Sequence, residues 1–248
     1  MTFDIRTEMI ALTGHSGDEI EAYLAQPLGD GPYGGVVVIH HMPGFDRSSK
    51  EIARRFAADE GCIAVMPHLY SREGRGASPD DAAAAGRAAG GVPDDRLVGD
   101  VEAAMEKIKS MPSANGKVAT IGYCSGGRQS FLAATSLQLD AAVDCYGGFV
   151  VGTPPAGMPL KVSPIIDRTK DLSCPLLGLF GAEDQHPSPE QVAELEKALV
   201  EKGKTYEFHS YEGAGHAFFD VDRPAYRPEA AVDGWHKIHD FFGRYITA

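Results

Sequence analysis

The sequence predicts an α/β fold: a mostly parallel central sheet with helices on both faces and an antiparallel hairpin at the N-terminus. Three observations predict it. Short β-branched runs alternate along the chain with longer stretches of helical apolar spacing, the pattern of strand–helix–strand units. Those runs are apolar at successive positions, as strands covered on both faces are. The first thirty residues break the pattern, because Met9-Ile-Ala-Leu12 and Ile20-Glu-Ala-Tyr-Leu-Ala25 are separated by Gly14-His-Ser-Gly-Asp18, a turn-forming segment that joins them as a hairpin at the sheet edge.

The elements follow in order. Gly35-Val-Val-Val-Ile-His40 is the first buried strand, bounded by glycines and Pro43. A helix over 48–60 carries Ile52, Ala53, Phe56 and Ala57 on one stripe. Cys62–Met66 is a second core strand, ended by Pro67. Residues 74–95 are rich in Gly, Ala, Pro and Asp and read as a lid or long connection. A helix over 97–111 presents Val101, Ala104, Met105 and Ile108. Lys117–Gly122 is a strand, followed by a helix over 128–136, and Ala141–Tyr146 is a further strand. Residues 152–170 form a second excursion. Leu176–Phe180 is a strand, and Ser188-Pro-Glu-Gln opens a helix with proline in the first turn. Thr205–Tyr211 alternates and belongs nearer an edge. The last helix, over 228–245, places Trp235, Ile238 and Phe242 on one side. No repeat or boundary interrupts the chain, so residues 1–248 read as one domain.

Composition narrows the function. The 248 residues hold 35 acidic and 23 basic side chains, a formal net charge of −12. That balance argues against nucleic acid or an anionic membrane as partner. No apolar stretch approaches the roughly 18 residues of a membrane span, and the start lacks a secretory signal, so a cytoplasmic location is expected. Cys62, Cys124, Cys145 and Cys174 form no CxxC pair, so neither a zinc ribbon nor a disulfide framework is indicated.

The sharpest chemical signal is Gly122-Tyr-Cys-Ser-Gly-Gly127 between a predicted strand and a predicted helix. This is the nucleophile elbow, G-x-nucleophile-x-G, in the context it requires. Only Cys124 has glycine at both −2 and +2, so Cys124 and not Ser125 is the nucleophile. The helix N-terminus behind it favours a thiolate, and the Ser125 backbone N–H lies where an oxyanion forms. In an elbow fold the acid and then the histidine follow the nucleophile in chain order. Asp184 fits the acid, in the loop after the strand Leu176–Phe180, with Glu183 as the alternative. His216 fits the base, in Gly213-Ala-Gly-His216, with His186 as a rival. His15, His209, His236 and His239 read as surface or packing residues. A second oxyanion donor is expected from the loop 40–44, where Met42 supplies an N–H and Pro43 cannot.

With those residues in view, the chain resembles the dienelactone hydrolase (carboxymethylenebutenolidase) family of α/β-hydrolases over essentially its whole length. The resemblance rests on Gly122-Tyr-Cys-Ser-Gly-Gly-Arg128, Pro67-His-Leu-Tyr-Ser-Arg72, Tyr146-Gly-Gly, Gly181-Ala-Glu-Asp184 and Gly215-His-Ala-Phe. It implies the α/β-hydrolase fold, a Cys124/His216/Asp184 triad, an oxyanion hole from Met42 and Ser125, and cofactor-free opening of a small carboxylated enol lactone through a thioester. It implies Arg72 as one of two arginines on the substrate carboxylate. His41 and Tyr123 complete the candidate substrate-binding set. The partner expected is thus a small ester or lactone, with the protein a monomer or small homo-oligomer.

Three positions depart from the family pattern. His41 stands where relatives carry a glutamate that pairs with the resting cysteine; it either pairs with Cys124 itself or swings out of the site. Asp220 stands where the second arginine falls, which leaves Arg223 or Arg227 as substitutes. His68 replaces an aspartate after Pro67. The missing arginine favours a second expectation, a short-chain esterase or thioesterase with no carboxylate requirement. A non-catalytic binding protein of the same fold, or a redox sensor using Cys124, is the remaining alternative.

Overall fold

The structure, a computed structural model, describes residues 2–247. In chain order its elements are β1 (Ile5–Thr13), β2 (Glu19–Pro27), β3 (Tyr33–Ile39), α1 (Arg47–Glu60), β4 (Ile63–Pro67), α2 (Ser71–Gly74), α3 (Pro79–Ala89) and α4 (Asp94–Lys109). They continue with β5 (Ala114–Tyr123), α5 (Ser125–Ala134), β6 (Ala141–Cys145), β7 (Leu176–Gly181), α6 (Pro189–Glu201), β8 (Tyr206–Tyr211) and α7 (Pro228–Tyr245). The strands form one sheet in the order β1-β2-β4-β3-β5-β6-β7-β8. The β1–β2 and β2–β4 pairs are antiparallel and every other pair is parallel.

Side-chain alternation along the strands divides the core into two layers. Val37, Ile39, Ile63 and Val65 face α4, α5 and α6. Val36, Val38, Ala64, Met66, Ala119, Ile121 and Tyr123 face α1 and α7. Tyr123 shares its parity with Ala119 and Ile121, so it belongs to the α1/α7 layer, and the chain reverses direction immediately after it.

Residues 74–95 are not an irregular connection. They contain the end of α2, all of α3 and the start of α4. The composition is that of a loop, but its order is that of a helix. Ser78 caps the first turn by accepting from the Asp81 N–H, Pro79 takes the first helical position, Ala82–Ala85 propagate the turn, and Gly90 closes it at φ 100°. Residues 152–165 carry no regular helix or strand and end in a 3₁₀ turn, Ile166–Asp171. The two excursions meet, because the Lys161 N–H donates to Gly90 O at 2.8 Å.

Arg72 belongs to this framework. Its guanidinium donates to both carboxylate oxygens of Asp100 (2.7 and 3.0 Å), to Asp18 (2.7 Å) and to His15 O (3.2 Å). Asp100 is fully buried on α4 and also accepts from the His15 N–H. The arginine ties the β1–β2 turn to α4 by a bidentate pair, and four of its five N–H donors are used in doing so. No helix of the described residues is long and apolar enough to cross a membrane.

Candidate active site

The nucleophile elbow is built by the close approach of three backbones. Cys124 sits between β5 and α5 at φ 58°, ψ −123°, a strained conformation for a residue with a Cβ. A Cβ on Gly122 would lie 1.9 Å from Gly126 O, and one on Gly126 would lie 2.4 Å from Ile39 O, so the turn closes only with glycine at both places. The Cys124 N–H donates to Cys145 O at 3.0 Å, and Cys124 O accepts from the Gly127 N–H at 2.9 Å. The cysteine stays partly accessible, whereas Cys62, Cys145 and Cys174 are buried.

Asp184 and His216 arrive from the loops after β7 and β8. Asp184 is 6% exposed; its Oδ1 accepts from the His186 backbone N–H (2.9 Å), and its Oδ2 accepts from His216 Nδ1 (2.8 Å). An ionised carboxylate only accepts, so Nδ1 carries the proton. The other ring nitrogen is left free of Asp184, in the cavity that Cys124 also lines. Burial disfavours the imidazolium, but the hydrogen bond to Asp184 and the charges of Asp184 and Cys124 outweigh it and raise His216 to about 10. Glu183 stands exposed, and His186 meets Asp184 only through its backbone, so neither is bonded to His216 as Asp184 is.

The loop after β3 is held by His40. Its Nδ1 bonds His41 O (2.8 Å), and its Nε2 accepts from the Leu69 N–H (3.2 Å). Burial lowers His40 to about 3, so the ring is neutral and can do both. His41 O also accepts from the Gly44 N–H, and Tyr70 Oη donates to Met42 O. Because a peptide group is planar, fixing His41 O fixes the Met42 N–H on the opposite side. Met42 and Ser125 both line the cavity over Cys124. Ser125 is the first residue of α5, where helical N–H groups have no intrahelical partner.

That cavity has a volume of about 460 Å³ and also contains Asp184 and His216. Tyr70, Val92, Phe149, Met158, Leu160 and Val162 give it apolar walls. Both excursions contribute, Val92 from the first and Met158 to Val162 from the second. Arg128 is the one Lys or Arg in the wall among the described residues. Its guanidinium is occupied by Asp94 (2.8 and 3.1 Å), Ser163 O (2.8 Å) and Phe149 O (3.3 Å). Among the described residues no cluster of three His, Cys, Asp or Glu side chains is arranged to hold a metal ion.

The remaining expected contacts lie elsewhere. Tyr123 and His41 line a separate cleft between α1 and α7, together with Asp220. His41 Nε2 bonds Asp46 Oδ2 at 2.8 Å, and Asp46 caps α1 through the Ser49 N–H at 2.8 Å. The cap fixes Asp46, and Asp46 draws His41 away from Cys124. Arg223 pairs with Asp220 at 2.9 Å, and Arg227 donates to Gly213 O, Pro224 O and Tyr226 O. Neither lines the cavity. His68 is buried in a stack on Phe45 at 4.5 Å. Sequence reasoning missed Gln129, a cavity residue one helical turn after Ser125; the i, i+4 spacing carried that signal.

Comparison with known proteins adds four findings. A family model described as "Dienelactone hydrolase family" matches residues 20–246. An Escherichia coli (strain K12) protein named "Putative carboxymethylenebutenolidase" is 35% identical over 239 residues, covering 92% of this chain and 84% of its own. A Bradyrhizobium protein named "Probable 2-oxo-3-(5-oxofuran-2-ylidene)propanoate lactonase" is 30% identical over 236 residues and 92% of each chain. The crystal structure named "Putative Dienelactone Hydrolase" from Klebsiella pneumoniae superposes with a TM-score of 0.85 at 30% identity, over 98% of this chain and 100% of that one.

Proposed function

This chain belongs to the dienelactone hydrolase family and is a carboxylic ester hydrolase, and from that premise we propose that it cleaves small lactones or esters through a thioester on Cys124. The observation that carries the reading is the meeting of Cys124, His216 and Asp184 in one cavity at the strained elbow, with His216 bonded to Asp184 at 2.8 Å. The Cys124 thiolate attacks the carbonyl carbon. The oxyanion is held by the Met42 and Ser125 N–H groups, each worth about 3 kcal/mol in comparable holes. The C–O bond breaks, and His216 delivers its proton to the departing oxygen. Neutral His216 then takes a proton from water, whose oxygen attacks the thioester and returns Cys124 to thiolate. Asp184 holds the ring in one tautomer throughout.

The substrate in this reading carries no free carboxylate. Arg72, Arg223 and Arg227 are all held outside the cavity, and Asp94 neutralises Arg128. Glu183, exposed at the rim with no ionic partner among the described residues, repels an anion. This favours an uncharged ester or lactone over the carboxylated lactone that the family resemblance implies. The test compares phenyl butyrate with trans-dienelactone. The reading predicts a kcat/KM at least tenfold higher for phenyl butyrate, and a fall of about 10³-fold or more in Cys124→Ala. A preference for the dienelactone would overturn the substrate class, and a Cys124→Ala rate within tenfold of wild type would overturn the nucleophile.

A further inference from the structure

The cavity over Cys124 contains polar atoms that the hydrolytic steps leave without a role. Gln129, on α5, is 9% exposed, and its Oε1 is buried with no hydrogen-bond partner. His186 Nδ1 is likewise buried and unpartnered. Both residues line the cavity. Buried amide and imidazole groups are ordinarily paired, because leaving one dry and unbonded costs free energy. No hydrogen bond explains either atom, although the His186 ring packs on Phe149 at 5.4 Å. His186 meets Asp184 through its backbone alone, and the Gln129 carboxamide makes no hydrogen bond to another described residue. Around them the walls are apolar, and both atoms lie just beneath the cavity surface, so a substrate meets these two polar groups once the side chains turn towards it.

We propose that Gln129 and His186 form a polar subsite that reads a hydroxyl group on an uncharged ester or lactone. A hydroxyl both donates and accepts, so it satisfies the Gln129 oxygen, which needs a donor, and either tautomer of the His186 ring. A carboxylate offers acceptors only, so it leaves the Gln129 oxygen unbonded and places its own charge near Glu183. A plain alkyl group fills the volume but leaves both polar atoms dry. Sites built around a buried hydrogen-bonding group discriminate strongly against ligands that lack the matching group. The subsite therefore sets specificity within the Cys124 chemistry and rests on that reading.

Four esters test it: phenyl butyrate, phenyl 3-hydroxybutyrate, 3-hydroxyphenyl butyrate and monophenyl succinate. The two hydroxylated esters place the group in the acyl part and in the leaving part. The wild type is expected to favour one hydroxylated ester over phenyl butyrate, and monophenyl succinate is expected to be the poorest substrate. Gln129→Leu, close in shape but apolar, is expected to lower kcat/KM for the favoured hydroxylated ester at least tenfold more than for phenyl butyrate. Iodoacetamide alkylation of Cys124 is read alongside, and an equal rate in both proteins shows that the elbow is intact. A parallel fall on all four esters, no preference for either hydroxylated ester, or a preference for the succinate would overturn the subsite while leaving the Cys124 reading standing. No turnover of any ester by the wild type would instead overturn that reading and the subsite with it.

Discussion

His216 is the residue on which the chemistry turns, because two opposing influences meet there. Burial alone would make the ring neutral at physiological pH. The 2.8 Å bond to Asp184 and the nearby Cys124 reverse that and raise it to about 10. A folded-state value above the ordinary 6.5 adds stability that is fully present below pH 6.5 and is lost as pH rises through 10. In the proposed mechanism the resting histidine is an imidazolium that protonates the departing oxygen. Asp184→Asn removes the principal anion and weakens the tautomer lock. It is expected to bring the His216 titration, followed by NMR of the ring carbons, down towards 6.5 and to lower kcat/KM about 10²- to 10⁴-fold. A titration unchanged in the variant would show that Asp184 does not control the ring. At the same scale, Arg72 shows why a matching motif does not transfer a role. Its position agrees with the family pattern, but the buried carboxylate of Asp100 holds its guanidinium.

The decisive element is the β5–α5 turn. Its glycines are needed for different reasons from glycines elsewhere. Gly122 faces Gly126 O at a distance no Cβ can share, and the obstacle is backbone, which cannot swing aside. Gly243, within α7, has only the tip of Thr247 at 4.0 Å. Gly122→Ala is therefore expected to cost about 3 kcal/mol or more and to abolish most activity, since the elbow must open to admit the methyl group. Gly243→Ala is expected to be neutral or to stabilise by up to about 1 kcal/mol, because alanine is the better helix former. Thermal unfolding of both variants beside the wild type checks the contrast, and equal shifts would refute the steric account of the elbow. The α3 helix carries a related lesson. Its alanines, proline and aspartates suggested a loop by composition, but Ser78 and Pro79 stand in the order that starts a helix.

At the scale of the whole molecule, local patterns carried most of the architecture. Each predicted strand and helix corresponds to one in the sheet or on its faces, because apolar runs and apolar stripes are local properties. The elbow was legible for the same reason, with both glycines and the cysteine inside six residues. The side chains around the substrate were not legible, since they depend on partners far along the chain. His41 turns away because Asp46 caps α1, and Tyr123 faces α1 and α7 by strand parity. Part of the cavity wall comes from Met158, Leu160 and Val162, in a segment that forms no regular strand or helix.

The central claim is that hydrolysis passes through an acyl group on Cys124, and rapid acid quench tests it most directly. Mixing the enzyme with 4-nitrophenyl butyrate and quenching within milliseconds traps the intermediate, because an activated ester acylates faster than the thioester hydrolyses. Intact mass and peptide mapping then locate the acyl group. The account predicts one butyryl group per chain, on Cys124, formed in a burst with the first equivalent of nitrophenol. Product formation with the acyl group on Ser125, or with no acyl group on the protein at all, would contradict it.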